Sequence, residues 1–215
     1  MTRLPAAQRR EQLLDRATEL FARHGYARAT TAELAKAAGV TEPIIYRHFQ
    51  SKRELFIALI KRTGQQTIRL WEEHLARYTD PAERLRRLMG DNPMVSSEHG
   101  KDAYRVMLQA ITETDDPEIR AAIHEHIRKL HAFMAAELER AQQARKVARR
   151  FSPEILAWLL IDVGLGFGVL SAYDVPRHGL DVSGQNVREV VTRLLVGRAA
   201  PTNEPKPRRA SPNVG

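Results

Sequence analysis

The stretch that decides the fold is TTAELAKAAGVTEPIIYRHFQSKRELF, from Thr30 to Phe56. Thr30 and Glu33 have the spacing of a capping box, and Leu34, Ala35 and Ala38 supply one inward face before Gly39 breaks the helix. A second short helix begins at Thr41, with Pro43 in a first turn where its missing N–H is not needed, and ends near Phe49. Ser51 and Glu54 repeat the capping-box spacing and open a longer helix through Leu55, Leu59, Ile68, Leu70 and Leu75, ending near Tyr78. Upstream, Leu13, Leu14, Ala17, Leu20 and Phe21 form one stripe, which predicts a helix from about Gln8 to His24 closed by a left-handed cap at Gly25. Two short helices across a tight glycine turn make a helix-turn-helix, in which the second helix is set across the first for insertion into a groove. Glycine turns between helices also occur in ordinary globular cores, so further residues have to carry the assignment.

Those residues are the paired threonines, the Gly-Val-Thr turn and the Tyr-x-His-Phe-x-Ser-Lys block, Tyr46 to Lys52. Together they resemble the signature of the TetR family of bacterial regulators. The resemblance covers about the first 60 residues, and the rest of the chain agrees in length, helix count and pattern. It implies a homodimeric DNA-binding regulator with a divergent C-terminal ligand domain. It also implies that Thr31, Tyr46, His48 and Lys52 hold the phosphate backbone, Lys52 from the first turn of a helix whose unpaired N–H groups attract anions. Ala32 stands where some members of the family carry a base-reading arginine, and Ile44 is bulkier than the residue often found there.

The residue pattern can be read independently. Ile45 and Phe49, four apart, face inward with Val40, which leaves Thr41, Ile44, Arg47 and His48 on the outward face. In a major groove an apolar side chain contacts a thymine methyl, Glu42 can accept from a cytosine amine, and Arg47 or His48 reaches base edges or phosphates. With Pro43 at the exposed helix start, the expected DNA-facing set is Thr31, Thr41, Glu42, Pro43, Ile44, Tyr46, Arg47, His48 and Lys52.

Charge supports that placement. The chain has a formal net charge of +8, and residues 1–62 hold 12 Lys and Arg against 6 Asp and Glu. Residues 63–197 are close to neutral, and residues 198–215 carry 4 basic side chains against 1 acidic. A basic excess confined to one segment is the footprint expected of a nucleic-acid reader, although a solvated surface produces the same sum. Cysteine is absent, which leaves no disulfide framework and fits a reducing compartment. The N-terminal stretch lacks the apolar core of a signal peptide. The expected location is the cytoplasm.

Beyond Tyr78 the pattern stays helical. A short helix is expected around Pro81 to Met89, a loop from Gly90 to Gly100, and a helix carrying Tyr104, Met107, Leu108 and Ile111. A long helix follows with Ile119, Ile123, Ile127, Leu130, Met134 and Leu138 on one stripe, ending before Ser152. Ile155 to Tyr173 is apolar all round except for Asp162, and Val187, Val190, Val191, Leu194 and Leu195 form a narrow seam. The fold class is therefore all-α: an N-terminal three-helix DNA-binding domain at 1–51, a helical ligand-binding and dimerisation domain at 52–197, and a basic, proline-rich, disordered tail at 198–215.

Several features allow other readings. Gly164, Gly166 and Gly168 do not fit a dinucleotide fingerprint and follow a helical pattern. Ile155 to Tyr173 has the length of a membrane span, but Asp162 would cost roughly 2.5–3.5 kcal/mol at its centre, and a helix packed on its own core and on a dimer mate is equally apolar. By the family resemblance the last two helices pair with those of a second subunit. His124, His126 and His131 share a helix without zinc-ligand spacing, so no metal or other cofactor is expected. Tyr104, Met107, Met134 and Phe167 are candidates to line an apolar effector cavity, with His131 and Asp162 as its polar groups, although such residues are more often plain core. Asp162 is equally a candidate for a hydrogen bond across a dimer interface. The expected partners are a double-stranded operator, a small hydrophobic effector rather than a multiply charged phosphate compound, and a second copy of the chain. A helical enzyme using His131 and Asp162, or an adaptor without DNA function, are the competing classes.

Overall fold

Ala6–His24 (α1) coils because its apolar positions recur at helical spacing, and Leu13, Leu14, Ala17 and Phe21 are buried along that stripe. The computed structural model describes residues 4–90, 98–113, 115–172, 175–180, 182–183 and 186–196. After α1 come Thr31–Ala38 (α2), Glu42–Tyr46 (α3), Lys52–Leu75 (α4), Pro81–Gly90 (α5), Glu98–Thr112 (α6), Pro117–Gln143 (α7), Pro153–Ala172 (α8) and Val187–Val196 (α9). Among the described residues there is no strand, only an isolated bridge between Leu180 and Asn186. The expected all-α class holds. The basic tail lies outside the described residues.

Local chemistry sets most of the boundaries. The Thr30 and Glu33 capping box is fully formed, and Gly39 closes α2 in the left-handed region at φ 65°, ψ 36°. Gly25 differs from expectation: its φ is 78° but its ψ is 159°, an extended conformation that only glycine adopts readily. At α4 the Ser51 hydroxyl accepts from the Glu54 backbone N–H, while the Glu54 carboxylate reaches one residue further back, to the N–H of Gln50. Asp116 caps α7 by accepting from the N–H groups of Glu118 and Ile119, with Pro117 in the first turn. One expectation shifts: α6 already begins at Glu98, inside the expected loop. α7 stops at Gln143, before Ser152 as expected, and an irregular stretch leads to α8.

Packing forms two apolar clusters joined by α4. The first gathers α1, α2, α3 and the first half of α4 against Val106, Met107 and Ala110 of α6 and Ile119, Ala122 and Ile123 of α7. Burying each of its large side chains stabilises the fold by about 1.5–3 kcal/mol. This core runs across residue 51, the expected domain boundary, because Leu55, Phe56, Leu59 and Ile60 of α4 pack in one cluster with α1, α2 and α3 as well as with α6 and α7. The second cluster, around Trp71, Leu75, Leu85, Leu138, Leu156, Ala157 and Leu160, lies at the other end of α4. With 24 residues, α4 is roughly 36 Å long.

A buried ion pair locks that far end. Arg84 of α5 donates to both carboxylate oxygens of Glu137 on α7, at 2.8 and 2.6 Å, and also to the carbonyls of Leu75 and Tyr78. It thereby adds a donor to the last carbonyl of α4, which also accepts from the Tyr78 N–H, and to the Tyr78 carbonyl in the turn beyond. At the near end Arg53 pairs with Asp116 and Glu118 at the start of α7. Helices α4 and α7 therefore run in the same direction, bound at both ends.

Candidate nucleic-acid interface

The helix pair α2 and α3 owes its geometry to local bonds and one apolar anchor. Glu33 N–H donates to the Thr30 hydroxyl at 3.2 Å, and Thr30 N–H donates to the Glu33 carboxylate at 2.9 Å. The Thr30 backbone N–H, with its hydroxyl, holds the Glu33 carboxyl below the usual carboxylate range. Ile45 and Phe49 are each 1% exposed, seated on the first cluster, and the Arg10 guanidinium lies 4.8 Å from the centre of the Phe49 ring. With those two inside, α3 has only one way to face.

The face it presents combines exposed and half-buried side chains. Thr41, Pro43, Tyr46 and Arg47 are exposed, and Glu42, Ile44 and His48 are half-buried. Thr41 has the backbone of a helix N-cap, but its side chain caps nothing in α3. The hydroxyl of Thr31, at the start of α2, lies 3.2 Å from the Tyr46 phenol oxygen, so two expected phosphate contacts from different helices form one polar ridge. Thr31, Thr41, Glu42, Pro43, Ile44, Tyr46, Arg47 and His48 thus lie on α2 and α3 or at their edges.

Lys52 is placed differently. Its ammonium donates to the carbonyls of Tyr26 at 2.9 Å, Ala27 at 3.3 Å and Ala29 at 3.1 Å, and lies 4.7 Å from the centre of the Tyr26 ring. All three of its N–H groups are engaged by the turn between α1 and α2. In this structure it fastens that turn to α4, and a phosphate would have to compete with three carbonyls. Tyr26 in turn stacks on Phe56 at 4.4 Å, and Phe21 packs edge-on to both rings. Except for Phe21 on Tyr26, these contacts span more than twenty residues and leave no local signature in the sequence. Arg62, also missed in the sequence, donates from α4 to Glu11, Asp15 and Thr18 on α1.

The expected effector residues fall into separate neighbourhoods. Met107 belongs to the first cluster, and Met134 packs against the second. Tyr104 crosses from α6 to α8, where its hydroxyl donates to the Gly164 carbonyl at 3.5 Å and fills the notch at Gly168; a Cβ there would lie 1.5 Å from the phenol oxygen. Burial pushes the Tyr104 hydroxyl pKa up. Phe167 packs against His178, with ring centres 4.6 Å apart. His131 lies 3.0 Å from the Glu154 carbonyl through Nε2 and stacks on Trp158. Asp162 is exposed on α8. Among the described residues, a surface groove lined by Gln12, Asp15, Arg16 and Glu19 and another lined by Gln142, Gln143 and residues 145–149 both lie apart from this set.

Helices α8 and α9 leave much apolar surface uncovered. Ile155, Trp158, Leu159, Val169 and Leu170 on α8 and Val187, Val190 and Leu194 on α9 are exposed, Leu194 at 79%. Pro153–Leu170 is long and apolar enough to cross a membrane by length and composition, and 28% of that window is buried in the fold.

Comparison with known proteins agrees with this geometry. Residues 13–59 match the family model described as bacterial regulatory proteins, tetR family. Over 121 residues the chain is 35% identical to the HTH-type transcriptional activator FasR of Mycolicibacterium smegmatis, a match that covers 56% of this chain and 54% of that protein. The chain thus spans about half the length of this curated relative. Among solved structures, a putative transcriptional regulator from Saccharomonospora viridis in complex with choline superposes with a TM-score of 0.72 at 24% identity, covering 86% of this chain and 94% of that one. The regulator FadR from Bacillus subtilis in complex with stearoyl-CoA gives 0.66 at 17% identity, covering 88% and 99%. At these identities the structural matches establish the fold.

Proposed function

From a chain that belongs, through its N-terminal domain, to the TetR family of bacterial regulatory proteins, we propose a ligand-responsive transcriptional regulator in the cytoplasm, most simply a repressor released from a palindromic operator by a small hydrophobic effector. The carrying observation is the orientation of α3, which buries Ile45 and Phe49 and turns Thr41, Pro43, Tyr46 and Arg47 outward beside the Thr31 hydroxyl, with Ile44 half-buried among them. In this reading α3 enters the major groove. Ile44 and Glu42 read base edges, while Thr31, Tyr46 and His48 hold phosphates. Lys52 has its first duty to the turn between α1 and α2.

A second copy covers the exposed side chains of α8 and α9, because a contiguous apolar face of this kind is hard to keep in water. Asp162 then lies at that interface, and a membrane is not needed to explain the apolar helix. The effector binds in the helical body, with Tyr104, Met107, Met134, His131 and Phe167 as candidate contacts. Support for a ligand in the helical body comes from the structural likeness to regulators solved with choline and with stearoyl-CoA. Effector binding that favours a different tilt of α4 would weaken operator affinity some 5- to 150-fold, the usual range of allosteric coupling.

The test is capture of fragmented genomic DNA by the purified protein at several salt concentrations, followed by release with hydrophobic compounds that raise its melting temperature. Enriched fragments that share an inverted repeat and are released by a stabilising compound support the reading. Equal binding of all fragments, or stabilising compounds that leave DNA bound, contradict it.

A further inference from the structure

Between its two apolar clusters α4 has a polar waist. The reader-side cluster ends on this helix at Ile60 and the far cluster resumes at Trp71, and the buried positions between them are Thr63, Gly64 and Thr67. The Thr67 hydroxyl donates to the Thr63 carbonyl at 2.8 Å, a back-bond that tends to bend helices. Gly64 adds the most flexible residue a helix can contain. Helix α4 is therefore softest where its two rigid ends meet.

One side chain of α7 is fitted into that waist. A Cβ on Gly64 would lie 2.5 Å from Nδ1 of His126 and 3.1 Å from its Cγ, so the ring occupies space that only glycine leaves open. His126 Nδ1 is sealed from solvent and has no hydrogen-bond partner. The charged groups around it offer no relief. On α7, Glu125 and Lys129 pair with each other at 2.6 Å, and on α4 Lys61 lies near Glu125.

We infer that His126, seated in the notch at Gly64, is the positioning residue through which α7 sets the tilt of α4, and that it holds this seat as the neutral imidazole, so that acid loosens the joint between reader and body. The effect on DNA rests on the proposed function; the hinge itself does not. Burial, with Lys129 nearby, keeps the imidazole below the usual histidine range. The stabilisation from this seat is therefore complete above that range. It is lost as pH falls through about 6.5 toward the lower folded value, because the unfolded chain takes up the proton first. A proton on the ring adds a positive charge beside Lys129, and the ring must leave the notch or admit water.

Hydrogen exchange of the full chain without DNA, at pH 7.5 and 5.5 with intrinsic rates corrected, tests the hinge directly. In the wild type, protection of α4 amides around residues 63–68 should fall at least tenfold at pH 5.5, while in His126→Gln it should change less than threefold. Equal losses in both proteins would overturn the inference. So would unchanged protection in the wild type. Gly64→Ala should reproduce the acid-like loss at pH 7.5, and if that variant does not fold, the His126→Gln comparison still decides. On a duplex recovered by fragment capture, wild-type affinity should drop more steeply with acid than that of His126→Gln. A pH-sensitive hinge with no DNA binding would sink the proposed function and leave the hinge standing. DNA binding with identical pH profiles in the two proteins would do the reverse.

Discussion

The phenol oxygen of Tyr46 and the hydroxyl of Thr31 lie 3.2 Å apart, across fifteen residues of sequence, and tie the outward ends of α2 and α3 together. Both residues are anchored from below, Tyr46 by the neighbouring Ile45 and Thr31 by the capping box of Thr30 and Glu33. Tyr46→Phe should leave the fold intact and lower DNA affinity about 2- to 10-fold, the usual worth of one hydrogen bond. Thr31→Ala should do much the same, and the double variant should cost less than the product of the two. Strictly multiplicative effects in a double-mutant cycle would show that the ridge does not act as a unit.

Lys52 separates a structural role from a phosphate contact. With three carbonyls on its ammonium, Lys52→Met should lower stability by about 1–2 kcal/mol, measured by denaturant unfolding without DNA. Unchanged stability, with a salt slope reduced by about one, would instead restore the role that the family resemblance implies.

The ion pair of Arg84 with Glu137 should behave as a buried one, since the two side chains are 14% and 5% exposed. Glu137→Ala leaves the guanidinium of Arg84 without its carboxylate and should cost about 3–5 kcal/mol, whereas Arg84→Met combined with Glu137→Leu should cost less than Glu137→Ala alone. The remaining loss comes from the Leu75 and Tyr78 carbonyls and from Arg140, which also pairs with Glu137 at 2.7 Å. Thermal or denaturant melts of the single and double variants check this. A single variant as stable as the wild type would contradict it.

Leu194 stands 79% exposed on α9 beside Val187 and Val190. If a second copy covers this face, Leu194→Asp should give a folded monomer whose operator binding is weaker and no longer cooperative. Light scattering reads the outcome. A wild type that is monomeric at micromolar concentration removes the dimer from the account.

The parts of the fold that could be read from the sequence are those written in short-range chemistry. Thr30 with Glu33, Gly39 and the inward pair Ile45 and Phe49 each act within a few residues, and each appears where its spacing places it. Contacts between distant helices could not be read in the same way. Met107 and Met134 lie on similar apolar stripes, yet they join different clusters, because a stripe does not name the helix that covers it. Lys52 resembled a phosphate contact, since nothing within its own helix reveals the carbonyls more than twenty residues earlier. His126 resembled its neighbours His124 and His131 until Gly64, on another helix, distinguished it.

The central claim is that α3 reads base sequence, and selection of binding sites from random duplex DNA tests it most directly. Wild-type protein should recover an inverted repeat with half-sites about 34–36 Å apart, or a multiple of that. Ile44→Ala should recover the same repeat with preference relaxed at one base pair per half-site, at a cost of about 1–3 kcal/mol there. A pool that stays random after repeated rounds, or an Ile44→Ala pool identical to that of the wild type, would contradict the claim.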